Sequence, residues 1–201
     1  MLGLPKSTEL SKQLPKKAIY EKFNMNTAAK EKFDADIKKI TIVNEISANT
    51  TAIAKGETIT AFYVLLISLK RMDFDFKTIE QISKMISQNI LFILEYCSEA
   101  KLAIYHTKLM QTVWEPIDKL NVQLKGLNLD IVWENMVVQV GDVQIKHGNT
   151  LDKQIEINEK HQKIKKQINS LEKQARTEKQ PKRKFDLVKQ IKELQKELEE
   201  I

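Results

Sequence analysis

Six cationic side chains crowd one short stretch near the C-terminal end: Lys173, Arg176, Lys179, Lys182, Arg183 and Lys184, with Lys163, Lys165 and Lys166 upstream. Clustered Lys and Arg suit a phosphate backbone, because binding releases the counterions condensed on it. The plainer use of the same charges is a solvated helix face with i,i+4 partners such as Glu172 and Arg176.

Other constellations are weaker. A restriction-type metal nuclease needs acids on one strand and Glu-x-Lys or Asp-x-Lys on the next. Lys70 ends an apolar run, but the matching position is Ser68, which cannot ligate a metal as a carboxylate does. Glu45, Glu57, Asp73 and Asp75 are the acids nearby, and no motif fixes their geometry. His106, Lys108 and Glu115 contain the types for acid–base work, although a structural hydrogen bond is the simpler role for a strand-edge histidine. His147 and His161 have no partners at metal-ligand spacing. Cys97 closes an apolar run and reads as a small buried hydrophobe. The five glycines are scattered singly, so there is no phosphate-cradling loop. Trp114 and Trp133 could stack on bases, but packing is the ordinary use of such rings. Asn128, Asp130, Glu134 and Asn135 are the densest polar set, and helix capping accounts for Asn128 or Asp130. No catalytic, metal or cofactor set emerges, so the chain reads as an interaction protein rather than an enzyme.

The basic cluster needs a frame. Ile157, His161, Ile164, Ile168, Leu171 and Ala175 recur at steps of four and three, a heptad seam. The rhythm returns at Leu187, Ile191, Leu194, Leu198 and Ile201. Almost everything between is Lys, Glu, Gln, Asn or Arg, and so polar a helix is marginal alone. It needs a second helix against the stripe. Pro181 would cost about 3 kcal/mol inside a helix, and the seam changes phase there. The spacing therefore predicts an antiparallel helical hairpin over 151–201 with its bend at Thr177–Lys184. Its first helix, about 25 residues, would run roughly 38 Å. The expected partner-binding residues of this arm are Ile164, Ile168, Leu171, Leu187, Ile191, Leu194 and Leu198.

The remainder, 1–147, reads as a globular α+β domain, long enough to bury about two thirds of its unfolded surface. The arm holds 14 Lys/Arg against 10 Asp/Glu and the body 19 against 17, so an electrostatic partner should prefer the arm. A single cysteine rules out an internal disulfide and a thiol-rich zinc site, which suits a reducing cytosol. No signal peptide or run of 18 apolar residues occurs, so cytoplasmic residence without a membrane is expected.

Within the body, Ser7-Thr8-Glu9-Leu10 looks like a capped helix start, interrupted by Pro15. Further helix is expected over Lys17–Phe23 and Ala28–Lys38. Lys39–Ser47 alternates as a strand, and Thr58–Lys70 is apolar enough to be a central strand buried on both faces. Thr78-x-x-Gln81 resembles a capping box opening a helix. Asn89–Cys97 and Lys101–His106 read as an antiparallel pair, with Gln111–Glu115 a third strand ended by Pro116. Ile131–Val140 reads as a helix with Leu127, Ile131, Trp133 or Glu134, and Val138 at helical spacing, stopped by Gly141. Together these predict a mixed, mainly antiparallel sheet packed with helices.

Four stretches carry a family resemblance: Leu2–Glu9 (LGLPKSTE), Asn89–Glu95 (NILFILE), Lys125–Asn135 (KGLNLDIVWEN) and Glu178–Leu187 (EKQPKRKFDL). The chain resembles the bacterial domain-of-unknown-function family four-three-nine-one over nearly its whole length. The third stretch is the most distinctive. Where family members tend to read QFNRK near the end, this chain has Gln180-Pro181-Lys182-Arg183-Lys184. Members are often encoded beside helicases and DNA methyltransferases in restriction-like or phage-defence loci. The resemblance thus implies an accessory subunit of a DNA-acting complex. Its partners would be a larger helicase, methyltransferase or nuclease subunit, a second copy of itself, or DNA. A degenerate metal-dependent nuclease and a stand-alone, sequence-independent nucleic-acid binder are the alternatives.

Overall fold

The computed structural model describes residues 2–200 and resolves an α+β protein made of two compact units, Met1–Val143 and Gln144–Ile201. In chain order the first holds β1 (Glu9–Leu14), α1 (Lys16–Lys22), α2 (Thr27–Asp36), β2 (Ile37–Ser47), β3 (Ala61–Leu69), α3 (Phe76–Met85), β4 (Asn89–Tyr96), β5 (Glu99–Tyr105), β6 (Leu109–Gln111), β7 (Glu115–Pro116) and α4 (Leu129–Gly141). The second holds α5 (Leu151–Thr177) and α6 (Pro181–Glu200).

The seven strands form one sheet, ordered β1-β2-β3-β4-β5-β6, with β7 on the far end of β5. Only β3 and β4 run parallel, Phe62 opposite Asn89 through Ser68 opposite Glu95. A parallel pair cannot be closed by a tight turn, and α3 supplies the crossover. All other pairings are antiparallel. The expected mixed, mainly antiparallel sheet is what forms.

Both faces of the sheet are covered, which is why β3 and β4 read as continuous apolar runs. On one face Ile40, Leu65, Ile67, Leu69, Phe92, Leu94 and Ala103 pack with Ile19 of α1, Phe33 of α2, and Ile79 and Ile82 of α3. On the other, Phe62 meets Trp133 of α4, ring centroids 5.3 Å apart.

Several local expectations are corrected. Ser7–Leu10 does not open a helix. Lys6–Thr8 is a single 3-10 turn, and Glu9 begins an edge strand whose ladder with β2 outweighs the capping signal. Thr8 Oγ1 donates to Pro5 O at 2.7 Å and accepts from Asn44 Nδ2 at 2.9 Å. Pro15 then precedes α1 as its N-cap. The α2 helix stops at Asp36, because Ile37 is already paired with Leu69.

The cap of α3 is Asp75, which accepts from the Lys77 amide at 2.9 Å, and not Thr78. Gln111–Glu115 is not one strand. Thr112 breaks it by exchanging bonds with the backbone of Leu102, leaving the short β6 and β7. On α4, Leu127 and Ile131 face water, whereas Leu129, Val132, Trp133, Met136, Val137 and Val140 are buried. The helix ends on Asp142 in the left-handed region (φ 46°), with Gly141 still inside it. Cys97 is exposed at φ 56° in the β4–β5 turn, so the buried-hydrophobe reading fails. A residue at the tip of a hairpin turn has no core to join.

Candidate nucleic-acid interface

The second unit is held from its root upward. Thr150 caps α5, and Gln154 Oε1 accepts from the Lys146 amide at 3.0 Å and from Asn149 Nδ2 at 2.9 Å. These bonds tie the connecting segment to the helix's first turn. The α5 helix runs 27 residues to Thr177. The connection is only residues 178–180, where Glu178 Oε1 accepts from the Gln180 amide at 2.8 Å. The broader bend expected over Thr177–Lys184 is thus corrected. Pro181 is the first residue of α6, a position where its missing N–H costs nothing.

Ile164, Ile168, Ala175 and Ile191 are buried between the helices, with Leu171, Leu187, Leu194 and Leu198 packed against them. All seven residues expected to bind a partner are in this cluster, where they pack one helix of the hairpin against the other. Lys160 Nζ and Glu197 Oε1 bridge the two helices at 3.1 Å. His161 lies in the seam with Nε2 buried, and no hydrogen-bond partner for it exists among the described residues. One side stays open: Leu171 and Leu194 floor a groove of about 550 Å³, walled by Gln167, Gln190, Glu193 and Glu197.

At the bend, Lys173, Arg176, Lys179, Lys182, Arg183 and Lys184 are all exposed. None of their side chains makes an ion pair or hydrogen bond with a described residue, and the Glu172–Arg176 pair does not form. The first turn of α6 has no acid, so Lys182, Arg183 and Lys184 sit at the positive end of the helix dipole. That arrangement opposes helix stability and leaves six cations unneutralised within a few turns. A polyanion would neutralise both the cations and the dipole.

The sequence reading passed over Phe185, which is 71% exposed beside these cations, and Val188, which is 39% exposed. The available signal was phase: Phe185 falls two residues before the seam position Leu187.

In the first unit the sequence-singled residues mostly have structural duties. Asn128 caps α4, accepting from the Ile131 amide at 3.0 Å. Asp130 instead reaches the loop before β3, accepting from the amides of Glu57 and Ile59 at 2.7 and 2.8 Å and from Thr58 Oγ1 at 2.8 Å. Partial burial pulls its carboxyl upward, but bonds from Thr58, Ile59 and Glu57 bring it below the ordinary range. Asn135 Nδ2 donates to Lys125 O at 2.8 Å. Glu134 is exposed. Trp133 packs on Phe62, and Trp114 packs over Lys101.

Of the acids named with Lys70, Asp75 is engaged elsewhere, and Asp36 and Glu95 hold the backbone and side chains around it. The Lys70 amide donates to Asp36 O, Arg71 pairs with the fully buried Asp36, Asp75 pairs with Lys32, and Ser68 donates to Glu95 at 2.9 Å. Among the described residues no three His, Cys, Asp or Glu converge as a metal site. His106 follows β5, its amide donating to Lys108 O at 3.1 Å.

One polar knot escaped the sequence reading. Lys16 Nζ and Tyr20 OH both donate to Asp34 Oδ1 at 2.6 Å. The Lys16 and Tyr20 bonds hold the Asp34 carboxyl low, while burial, reinforced by Asp34, pushes the Tyr20 phenol up to about 12.

The family described as Domain of unknown function (DUF4391) matches residues 2–198. The chain belongs to this family. No curated protein and no solved structure matches the chain. In this DUF4391 member, the most distinctive resemblance, Lys125–Asn135, is explained by folding: it caps α4 and clamps the loop before β3. No helix among the described residues is long and apolar enough to cross a membrane.

Proposed function

We propose that this protein is a non-enzymatic accessory subunit of a bacterial DNA-acting complex of the restriction or phage-defence kind. It docks on a larger helicase, methyltransferase or nuclease subunit through the C-terminal hairpin and brings the basic bend close to nucleic acid. The observation that supports docking is the hairpin's open side. Two helices cover only part of a heptad seam, and the half-buried Leu171 and Leu194 are left to a third helix. The unpaired cations at the bend support nucleic acid as a second contact. The DNA-acting setting is what the family resemblance implies.

The test is purification of the tagged protein from its own host, with co-purifying chains identified by mass. The expected result is a DNA-acting subunit retained by wild type and lost with Leu171→Glu/Leu194→Glu. Capture that survives both the double substitution and removal of 151–201 overturns the docking assignment.

A further inference from the structure

The outward side of α6 carries a pattern that the seam does not use. Lys182, Phe185, Lys189, Lys192 and Lys196 recur at steps of three, four, three and four, which puts them on one stripe. At about 100° per residue, this stripe lies opposite the one formed by Leu187, Ile191, Leu194 and Leu198. All five of its residues are exposed. Asp186 and Glu193 flank it, yet none of the four lysines forms an ion pair with a described residue. Folding the hairpin gives no reason for a phenylalanine here, because Phe185 is 71% exposed.

A row of unpaired cations interrupted by one exposed ring matches a particular partner. Lysines spaced along about 21 Å of helix track a phosphate backbone, and an aromatic face offers a platform for a base. Duplex DNA keeps its bases stacked inside, so the ring would gain nothing there. A strand with free bases satisfies both features.

We propose that this face binds single-stranded nucleic acid, the lysines holding phosphates and Phe185 stacking under one base. The inference rests on the reading of the basic bend above and gives it a ligand class. It also adds Phe185, Lys189, Lys192 and Lys196 to the residues involved.

The experiment uses the full chain and fluorescence anisotropy with a labelled oligothymidylate and a duplex of equal length. Wild type is expected to prefer the single strand. Phe185→Ala should weaken single-strand binding on the order of 10-fold and leave duplex binding unchanged. Phe185→Trp should retain binding, with its emission quenched by the stacked base. Circular dichroism should show both variants as helical as wild type, since the side chain is outside the seam. If Phe185→Ala binds the single strand as wild type does, while Lys182, Lys189, Lys192 and Lys196→Ala lose it, stacking is overturned and the basic-bend reading stands. If wild type binds neither nucleic acid, both fall. A Phe185→Ala variant that loses only the protein partner reassigns the face to a protein contact.

Discussion

Gly56 and Asp130 fit so closely that a Cβ on Gly56 would stand 2.2 Å from Asp130 Oδ1. The carboxylate occupies the space a side chain would need, and from there it bonds the amides of the 57–59 loop. Gly56→Ala should therefore lower the melting temperature by several degrees, because carboxylate or loop must move. Asp130→Asn should do so too, by replacing one acceptor oxygen with a donor. Asp130 titrates below its ordinary value when folded, so its contribution is present above that value and is lost as pH falls through the folded one. Thermal melts from pH 6 down to pH 3 should show a weaker acid dependence in Asp130→Asn than in wild type.

Lys101 should be replaceable at a gain. Its side chain is almost wholly buried (4% exposed) among Phe74, Phe76 and Trp114, the nearest ring centroid 4.2 Å from Nζ. No ion pair or side-chain hydrogen bond holds it among the described residues. Burial lowers its pKa, so the folded state sheds its proton before the unfolded chain does. The penalty is thus complete at neutral pH and eases as pH rises toward the ordinary lysine value of 10.5. Lys101→Met should raise the melting temperature at pH 7, with the advantage shrinking toward pH 10, as differential scanning calorimetry would show.

Tyr20 behaves in the opposite sense. Its phenol is pushed up to about 12, so the folded state keeps a proton that the unfolded chain loses near 10. Its contribution is present below pH 10 and disappears between there and about pH 12. Tyr20→Phe should be mildly destabilising at pH 7 through loss of the Asp34 bond. It should also flatten the alkaline limb of the stability curve measured by urea unfolding.

The hairpin seam contains its own weak point. His161 buries Nε2 without a partner among the described residues, in a row otherwise made of Ile, Leu and Ala. His161→Leu should stabilise the hairpin, since it removes an unsatisfied polar atom from an apolar contact. Ile168→Ala should cost about 2–5 kcal/mol by opening a cavity. Helix-specific circular dichroism during thermal melting reads both.

Binding at the bend should be steeply salt-dependent. Contact with about five phosphates predicts a log–log slope near −4 to −5 for duplex DNA. Charge reversal at Arg183 and Lys184 should flatten it by about two. A slope near zero in wild type would mean that the six cations serve solvation alone.

The elements legible in the sequence were those with a strong period. The seam of α5 and α6 was plain because nearly every other residue there is polar, and β3 and β4 because both of their faces are buried. What misled was local chemistry overridden by long-range pairing. Ser7-Thr8-Glu9 has the look of a cap, but β2 offers Glu9–Leu14 a ladder. Thr78 has a cap-box spacing, but Asp75 stands one turn earlier. The buried face of α4 is legible only in part, at Trp133, because apolar residues surround that helix and its period is ambiguous. Phe185 and the outer lysines have no period of their own that stands out in so polar a helix, and their shared face is defined only once the seam's phase is fixed in three dimensions.

The brief turn at residues 178–180 makes the hairpin a ruler. Its seam repeats every seven residues and the turn adds almost nothing, so one heptad inserted into each helix would carry the bend about 10 Å further from Leu151 without altering the contacts at either end. Length along the rod can therefore be set independently of the bonds that tie its root and of the cations at its bend.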